Sequence, residues 1–550
     1  MNKKQLQYYL KELNYLHQEG QTFAAQYPQV ANKLGIHINE FRDPHLAKLV
    51  QSVAFLTGRI AQKIDTQFDY INQNILQILS PHLIYTTPGC TILQFKCQPK
   101  NAGQMLAKGT LVYQQNADPD AGQIAQNVYM QTVYPVQLTA AQVTGMRFVD
   151  GYMYKLSCKT VLELDMQQID QKRIRLYINT HYLDAMTLYK LLFDTMDNTV
   201  YLSKNGKLVY TKFKLEKVGF GENDQLYTCH KHEDNRFVHM YEFVAYYKKF
   251  MFVDLVLEDE DIQFNNGEKN TFVLPLSDNE SAQTIILHKN MFLTNCTPGI
   301  NLFSGYANPI TIQHENSFEK LSPMHNTLNI HSIMKISTSI KYYVQSQMQK
   351  QEYANYLDGS NNHNTWIMFK DEQNFMIGLN AEENMDAIDY EILMPYVLYY
   401  NQKINAPINS EWMMENIISG VKCINIDTVT KPKYGLDSCE YTAAIHALHT
   451  NYLGQFSFSQ TSSILNRLMH LYKHLNTDHV NMDSYIDNIS LKNTVTYQII
   501  DNILTPVPCF SYRIETDAKY GAKAYVFGLV FAETLKANEL MNTVVKYTIA

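Results

Sequence analysis

The sequence predicts a multidomain α+β protein: an N-terminal helical, bundle-forming segment, several β-rich domains behind it, and a mixed C-terminal domain. Three observations carry that reading. Apolar residues between Asp43 and Pro81 recur at helical spacing over an unusually long stretch. After Pro88 the period drops from helical to two, with Gly, Pro, Asn and Asp marking the turns. The 550 residues are enough for roughly three or four domains, each with its own core. The expected division is 1–85 helical, 86–170 β-rich, 171–345 α+β with hairpins, 346–410 a variable β segment and loop, and 411–550 α+β.

In chain order, Lys3–Gly20 predicts a first helix, with Leu6, Tyr9, Leu13 and Leu16 on one stripe and Gly20 as its terminator. A short helix over Phe23–Leu34 follows, interrupted at Pro28. The long helix then starts on Asp43-Pro44, a capping carboxylate followed by a proline at the first helical position. It stops at Ser80-Pro81, because proline disfavours α geometry in the residue before it. Its apolar positions are Leu46, Leu49, Val53, Leu56, Ile60, Ile64, Phe68, Ile71, Ile75 and Ile78, heptads with a stutter in the middle. Unbroken, such a helix runs roughly 55 Å; the stutter at Asp65–Asp69 is where a break is expected if there is one. Two readings of the stripe stand: an internal core helix, or a surface from Leu46 to Ile71 that pairs with another chain.

Strand patterns follow at Ile92–Phe95, Thr110–Tyr113, Val128–Val136, Met153–Leu164 and Arg173–Asn179. Tyr182–Phe193 and Phe237–Tyr246 predict helices, and Phe250–Leu257 a strand. Asn205-Gly206 is a type I′ hairpin signal between Val200–Ser203 and Lys207–Lys214, and Asn266-Gly267 offers a second before Thr271–Leu276. The β-rich pattern continues through Thr284–Leu293 and Ile310–Gln313. Glu352–Asn364 is polar and reads as a linker or exposed loop, and Tyr390–Tyr400 as a strand. Ala443–His449 and Thr461–Leu475 predict helices, the latter with Ile464, Leu468, Leu471 and Leu475 in a stripe.

Composition narrows the function. Net charge is −7 with no basic block, which argues against nucleic acid as a partner. The 39 tyrosines and 25 phenylalanines supply rigid, amphipathic area of the kind that interfaces use, although a low-charge proteome also drifts towards tyrosine. Eight scattered cysteines without a C-x-x-C fit a reducing compartment. Lys3-Lys4 leads into Gln-Leu-Gln-Tyr-Tyr and not into an apolar run, and no stretch is long enough to cross a bilayer, so the expectation is a soluble intracellular chain without direct membrane insertion.

The search for chemistry yields no catalytic, cofactor-binding or metal residue. Cys229-His230-Lys231-His232-Glu233, with His239 nearby, groups ligand types but lacks a matched second pair and reads as a solvated hairpin end. His470 and His474 have the spacing that zinc peptidases use, but Leu471 stands where the catalytic glutamate belongs. Glu258–Asp261 lacks the alternating ligands and glycine of a calcium loop. Gly219-Phe220-Gly221 has no third glycine and no following helix, so it is no dinucleotide loop. The chain is expected not to be an enzyme.

In order, the segments resemble the TssF family, a baseplate wedge subunit of the bacterial type VI secretion system. The carriers at the front are Tyr8-Tyr9, Glu12-Leu13, Tyr15-Leu16, Gly20, Phe23-Ala24, Tyr27-Pro28 and Leu34-Gly35. The long-helix signature is Asp43-Pro44, Leu49, Ala54-Phe55-Leu56, Arg59-Ile60, Lys63-Ile64-Asp65, Phe68 and Pro81-His82. Leu188-Tyr189, Gly219-Phe220, Glu242-Phe243, Lys249–Phe252, Cys296–Phe303, His449–Leu453 and Leu471-Tyr472 continue in family order. The chain departs from the family at Tyr400–Pro407 and over 353–390, and contacts made by those parts are not carried over. The resemblance implies a structural role without a reaction or cofactor. It implies a two-to-one wedge of this chain, with a second copy of itself, and a TssG-like subunit. That wedge would join a TssK-like adaptor and TssE-like and VgrG-like hub components, in a cytoplasmic baseplate docked at the inner membrane complex. The alternatives are a phage or phage-derived tail baseplate wedge, and a cytosolic hydrolase or effector with an unrecognised site.

Overall fold

A computed structural model describes residues 3–33, 44–116, 126–156, 158–169, 171–194, 199–204, 207–227, 237–257, 270–276, 284–312, 318–342, 349–355, 365–371, 374–380, 388–416, 418–449, 467, 469–475, 485–500, 503–537 and 544–549. The chain divides into two compact units, Met1–Leu76 with Ser438–Thr442, and Gln77–Asp437 with Ala443–Ala550.

The first unit is helical. Helix α1 spans Lys3–Gln26, α2 spans Pro28–Lys33, and α3 starts at Pro44 and runs to Leu79. Gly20 does not end α1, which continues six residues beyond it to Gln26. A single glycine costs a helix only about 1 kcal/mol, and the chain meets no stronger breaker before Pro28. The stutter at Asp65–Asp69 does not break α3 either: its 36 residues are one continuous helix, about 54 Å long. The start at Pro44 and the stop before Pro81 are where the prolines require them.

The second unit is built on β structure. Among its described residues a barrel closes in the order Cys90–Cys97, Cys296–Ile300, Gln126–Thr132, Leu111–Asn116, Glu411–Met414, Val421–Asn425 and back to the first strand. Alternation puts Leu93, Phe95, Val112, Met130, Trp412 and Cys423 inside it. A second sheet runs Phe292–Thr294, Arg173–Ile178, Phe252–Leu257, Lys207–Lys217, Thr199–Lys204, Asn270–Pro275, Thr160–Gln167, Gln142–Asp150. The third is organised on the long pair Leu328–Tyr342 and Ile388–Asn401, which stay in antiparallel register through three irregularities. Its core holds Ile336, Trp366, Phe375, Ile377, Leu393 and Val397. A further sheet joins Ile486–Ile500, Ile503–Thr516 and Val544–Ile549. Helix α5 (Val238–Tyr246) is buried along its whole length, and α4 (Tyr182–Phe193) is buried mainly over Ala185–Phe193 and faces the helix Ala522–Ala537. Two reciprocal cation–π contacts join that pair, Lys190 over Tyr525 and Lys523 over Tyr182, at 5.7 and 5.5 Å.

Local expectations meet mixed outcomes in the strands. Thr199–Lys204 and Lys207–Lys217 do pair as a hairpin, although Asn205-Gly206 itself lies outside the described residues. Asn266-Gly267 also lies outside them, and the strands on either side of it are not partners. Asn270–Pro275 sits between Thr160–Gln167 and Thr199–Lys204, while Phe252–Leu257 pairs elsewhere. Non-local pairing decides there, and turn chemistry carries no information about it. Met153–Leu164 is a strand only from Thr160; Gly151–Tyr154 is a 3₁₀ turn capped by Asp150, whose carboxylate accepts from Tyr152 N. Glu352–Asn355 belongs to a strand against Leu328–Tyr342, not to a loop. Its polar side chains do not prevent this, because the ladder is made by backbone groups.

No described helix is long and apolar enough to cross a membrane.

Candidate partner-binding surface

Helix α3 has two apolar faces of different size. The small one is used within its own unit: Ala54 is fully buried, and Gly58 lies against the backbone of α1. A Cβ at Gly58 would sit 3.1 Å from Tyr9 N and 3.2 Å from Tyr8 C, so this crossing admits no larger residue without moving the helices. Tyr8 fixes the register by donating its hydroxyl to Asp65 Oδ2 at 2.7 Å, and that bond is the main reason its phenol is pushed up to about 12. Asn72 Nδ2 donates to Thr442 Oγ1 at 3.2 Å, tying in the Ser438–Thr442 segment.

The large face is the stripe, and it is open. Leu49, Leu56, Ile60 and Phe68 keep 57–61% of their surface exposed; Val53, Ile64, Ile71, Ile75 and Ile78 are exposed as well. The side chain of Leu46 lies outside the described residues. Nine large apolar side chains on one helix face form a contiguous exposed surface of the kind that marks an interaction site. Covering the exposed half of each is worth about 1 kcal/mol per residue. Beside the stripe lies a polar groove of about 550 Å³, lined by Tyr8, Lys11, Asp65, Phe68, Asp69 and Thr442 among others.

The structure thus brings the stripe residues into one line and keeps them off their own core. Sequence reasoning missed the opposite contact. Ala54 and Gly58, four residues apart, are the signal for a close helix crossing, but small residues weigh little in an apolar count.

Among the described residues no three His, Cys, Asp or Glu side chains converge as metal ligands. Cys229–Glu233 and Glu258–Asp261 lie outside those residues, as does the side chain of His474; His470 is exposed. His239 is buried on α5, and burial, helped by the charge of Lys249, drives its pKa down to about 3. Such a ring stays neutral at ordinary pH. Gly219 adopts φ +102 in a turn whose amides at Gly219 and Gly221 both donate to Asp224 Oδ2, and a 3₁₀ turn over Glu222–Asp224 follows. A carboxylate thus occupies amides that a phosphate would need.

The buried carboxylates of the β-rich unit are likewise already engaged. Asp254, fully buried, accepts from Arg173 Nε at 2.7 Å and from Arg175 Nε at 2.8 Å. Glu163 accepts from Arg147 and from the Tyr154 hydroxyl. Glu242 accepts from Leu226 N and pairs with the buried ammonium of Lys249. Each of these buried carboxylates is thus held in an ion pair or hydrogen bond that fixes local packing.

Comparison with known proteins gives consistent results. The family model described as "Type VI secretion system, TssF" matches residues 1–497. The type VI secretion system component TssF1 of Pseudomonas aeruginosa is 22% identical over 362 residues, which cover 61% of this chain. The match spans 58% of that curated relative's length. A chain in the cryo-electron microscopy structure of a type VI secretion system TssK-TssF-TssG baseplate subcomplex superposes with a TM-score of 0.71 at 18% identity, covering 92% of this chain and 96% of that one. A chain of a baseplate complex from the type VI secretion system superposes with a TM-score of 0.54 at 16% identity, covering 99% and 96%. At these identities the two superpositions are a likeness of fold.

Proposed function

We propose, from the premise that this chain belongs to the TssF family of type VI secretion systems, that it is a structural baseplate subunit whose α3 stripe is covered by another subunit. The exposed stripe is the observation that carries this reading. A helix of about 54 Å with its larger apolar face turned outwards is half of a bundle. The covering chain is a TssG-like subunit, in a wedge that includes a second copy of this chain. The wedge in turn meets a TssK-like adaptor and TssE-like and VgrG-like hub components on the cytoplasmic side of the membrane complex. The similarity to a chain solved together with TssK and TssG supports the TssG-like and TssK-like partners. The role is mechanical, without a reaction. The buried ion pairs of the β-rich unit, which tie its strands and helices together, fit such a role.

Co-expression with a TssG-like subunit tests the reading. Leu56→Asp places a carboxylate in the middle of the stripe, where burial in a bundle would cost several kcal/mol. The expected result is loss of co-purification, with the β signal in circular dichroism unchanged. Retention of the complex by Leu56→Asp would overturn the assignment of the stripe.

A further inference from the structure

We propose that the strand Ile486–Ile500 pairs edge to edge with the same strand of a second copy of this chain, the two running antiparallel about Thr496. Ile486–Ile500 and Ile503–Thr516 form one long hairpin ladder, in continuous register from Asn488↔Glu515 to Ile500↔Ile503. The third strand, Val544–Ile549, covers the far edge of Ile503–Thr516 over Cys509–Ile514 only. Beyond that cover stand Pro506 and Pro508, which have no N–H to give and so close the strand to further pairing. Among the described residues no strand pairs with the opposite edge of the sheet, that of Ile486–Ile500. That edge is not blunted either, since Asn493–Ile500 contains no charge and no proline.

The two prolines also fix which way the backbone points. Pro506 lies opposite Tyr497, and Pro508 opposite Val495. Pairs in an antiparallel ladder alternate between hydrogen-bonded and non-hydrogen-bonded, and a proline belongs at the second kind. Residues there turn their N–H and C=O away from the partner strand, so Val495 and Tyr497 present theirs to the open edge. Their side chains are exposed too, by 63% and 66%. The occupant of such an edge is an extended strand that offers outward-facing backbone groups at the same spacing, and this strand itself meets that requirement. A two-fold axis at Thr496 sets Val495 of each copy against Tyr497 of the other, a β-branched and aromatic pair made twice. Those are the positions whose backbone groups face outwards, so the new ladder is hydrogen-bonded there. Lys492 falls opposite Ile500, and no like charges meet. The contact involves neither the stripe nor its covering subunit.

The test uses the full chain, co-purified with the subunit that solubilises it. The pair on the axis is a non-hydrogen-bonded one between copies, with Cα atoms about 4.5 Å apart and within disulfide reach. Oxidation of Thr496→Cys should therefore join two copies through that position, identified by mass spectrometry as a disulfide between two identical peptides. Thr494→Cys, whose Cα atoms would stand about 14 Å apart in this register, should not join. Val495→Pro removes an outward N–H and leaves the ladder to Ile503–Thr516 intact; added to Thr496→Cys, it should lower the joined fraction about tenfold or more. Tyr497→Lys puts a charge on the edge without changing the backbone and should lower it as well. Joining at Thr496→Cys that both variants weaken supports the proposal. No joining there, equal joining at Thr494→Cys, or joining that Tyr497→Lys leaves untouched overturns it. If Val495→Pro alters the circular dichroism spectrum, Tyr497→Lys alone decides.

Discussion

The two units of this chain dispose of their difficult groups in opposite ways. The β-rich unit takes even charges inside: Asp254, Glu242 and Lys249 are buried, and each is matched by an opposite charge at hydrogen-bond distance. The helical unit leaves its best hydrophobic material outside, with Leu49, Leu56, Ile60 and Phe68 more than half exposed. The core of the β-rich unit thus contains charges that answer one another. The helical unit presents eight of the nine stripe side chains to solvent, and a covering subunit is what we propose for them.

That contrast can be broken most forcefully at Lys249. Lys249→Ala leaves the Glu242 carboxylate buried without its ammonium partner, still accepting from the Leu226 amide. We expect a loss of about 3–5 kcal/mol in the β-rich unit, read as a lower denaturant midpoint of its circular dichroism signal. A loss below about 1 kcal/mol would mean that the pair is dispensable to that core. Gly58→Val comes next and acts on the helical unit alone. Its new side chain meets the backbone of Tyr8 and Tyr9, and we expect about 1–3 kcal/mol of overpacking strain, seen as early protease cleavage within Lys3–Gln26.

Tyr8→Phe is milder, about 0.5–1.5 kcal/mol for one lost hydrogen bond. The same bond gives a pH test. The folded phenol is raised from 10.0 to about 12, so its contribution is fully present below pH 10 and is lost as pH rises through 12. Tyr8→Phe should abolish that part of the alkaline loss. The smallest effects sharpen the contrast best. Ile60→Gln and Lys63→Glu both alter exposed positions and should each change stability by less than about 0.5 kcal/mol. Only Ile60→Gln should weaken co-purification with the covering subunit. Equal behaviour of the two variants in that assay would remove the stripe from the interface.

What the sequence made legible is local. The ends of α3 are written in Asp43-Pro44 and Ser80-Pro81, and its stripe in the heptad spacing, because both signals sit within one element. The hairpin at Lys204–Lys207 was readable for the same reason. The order of strands in the sheets was not. Asn270–Pro275 lies next to Thr160–Gln167 across more than a hundred residues, and nothing in the alternation of either strand names the other. The candidate site divides in the same way. Its outward stripe was legible as periodicity, whereas Ala54, Gly58 and the Tyr8–Asp65 bond beneath it depend on where α1 crosses.

The closed barrel also sets a timetable. Its strand Cys90–Cys97 is hydrogen-bonded on one edge to Cys296–Ile300 and on the other to Val421–Asn425. A ribosome adding about 5–20 residues per second delivers the first of these neighbours roughly 10–40 s after Cys97, and the second roughly 15–65 s after it. Until Cys296–Ile300 is made both edges of the first strand stand open to any other extended chain in reach, and one stays open until Val421–Asn425 follows. A nascent chain that stalls before Val421 still has one edge unpaired, so chaperone protection during the middle of its synthesis matters more to this fold than protection at either end.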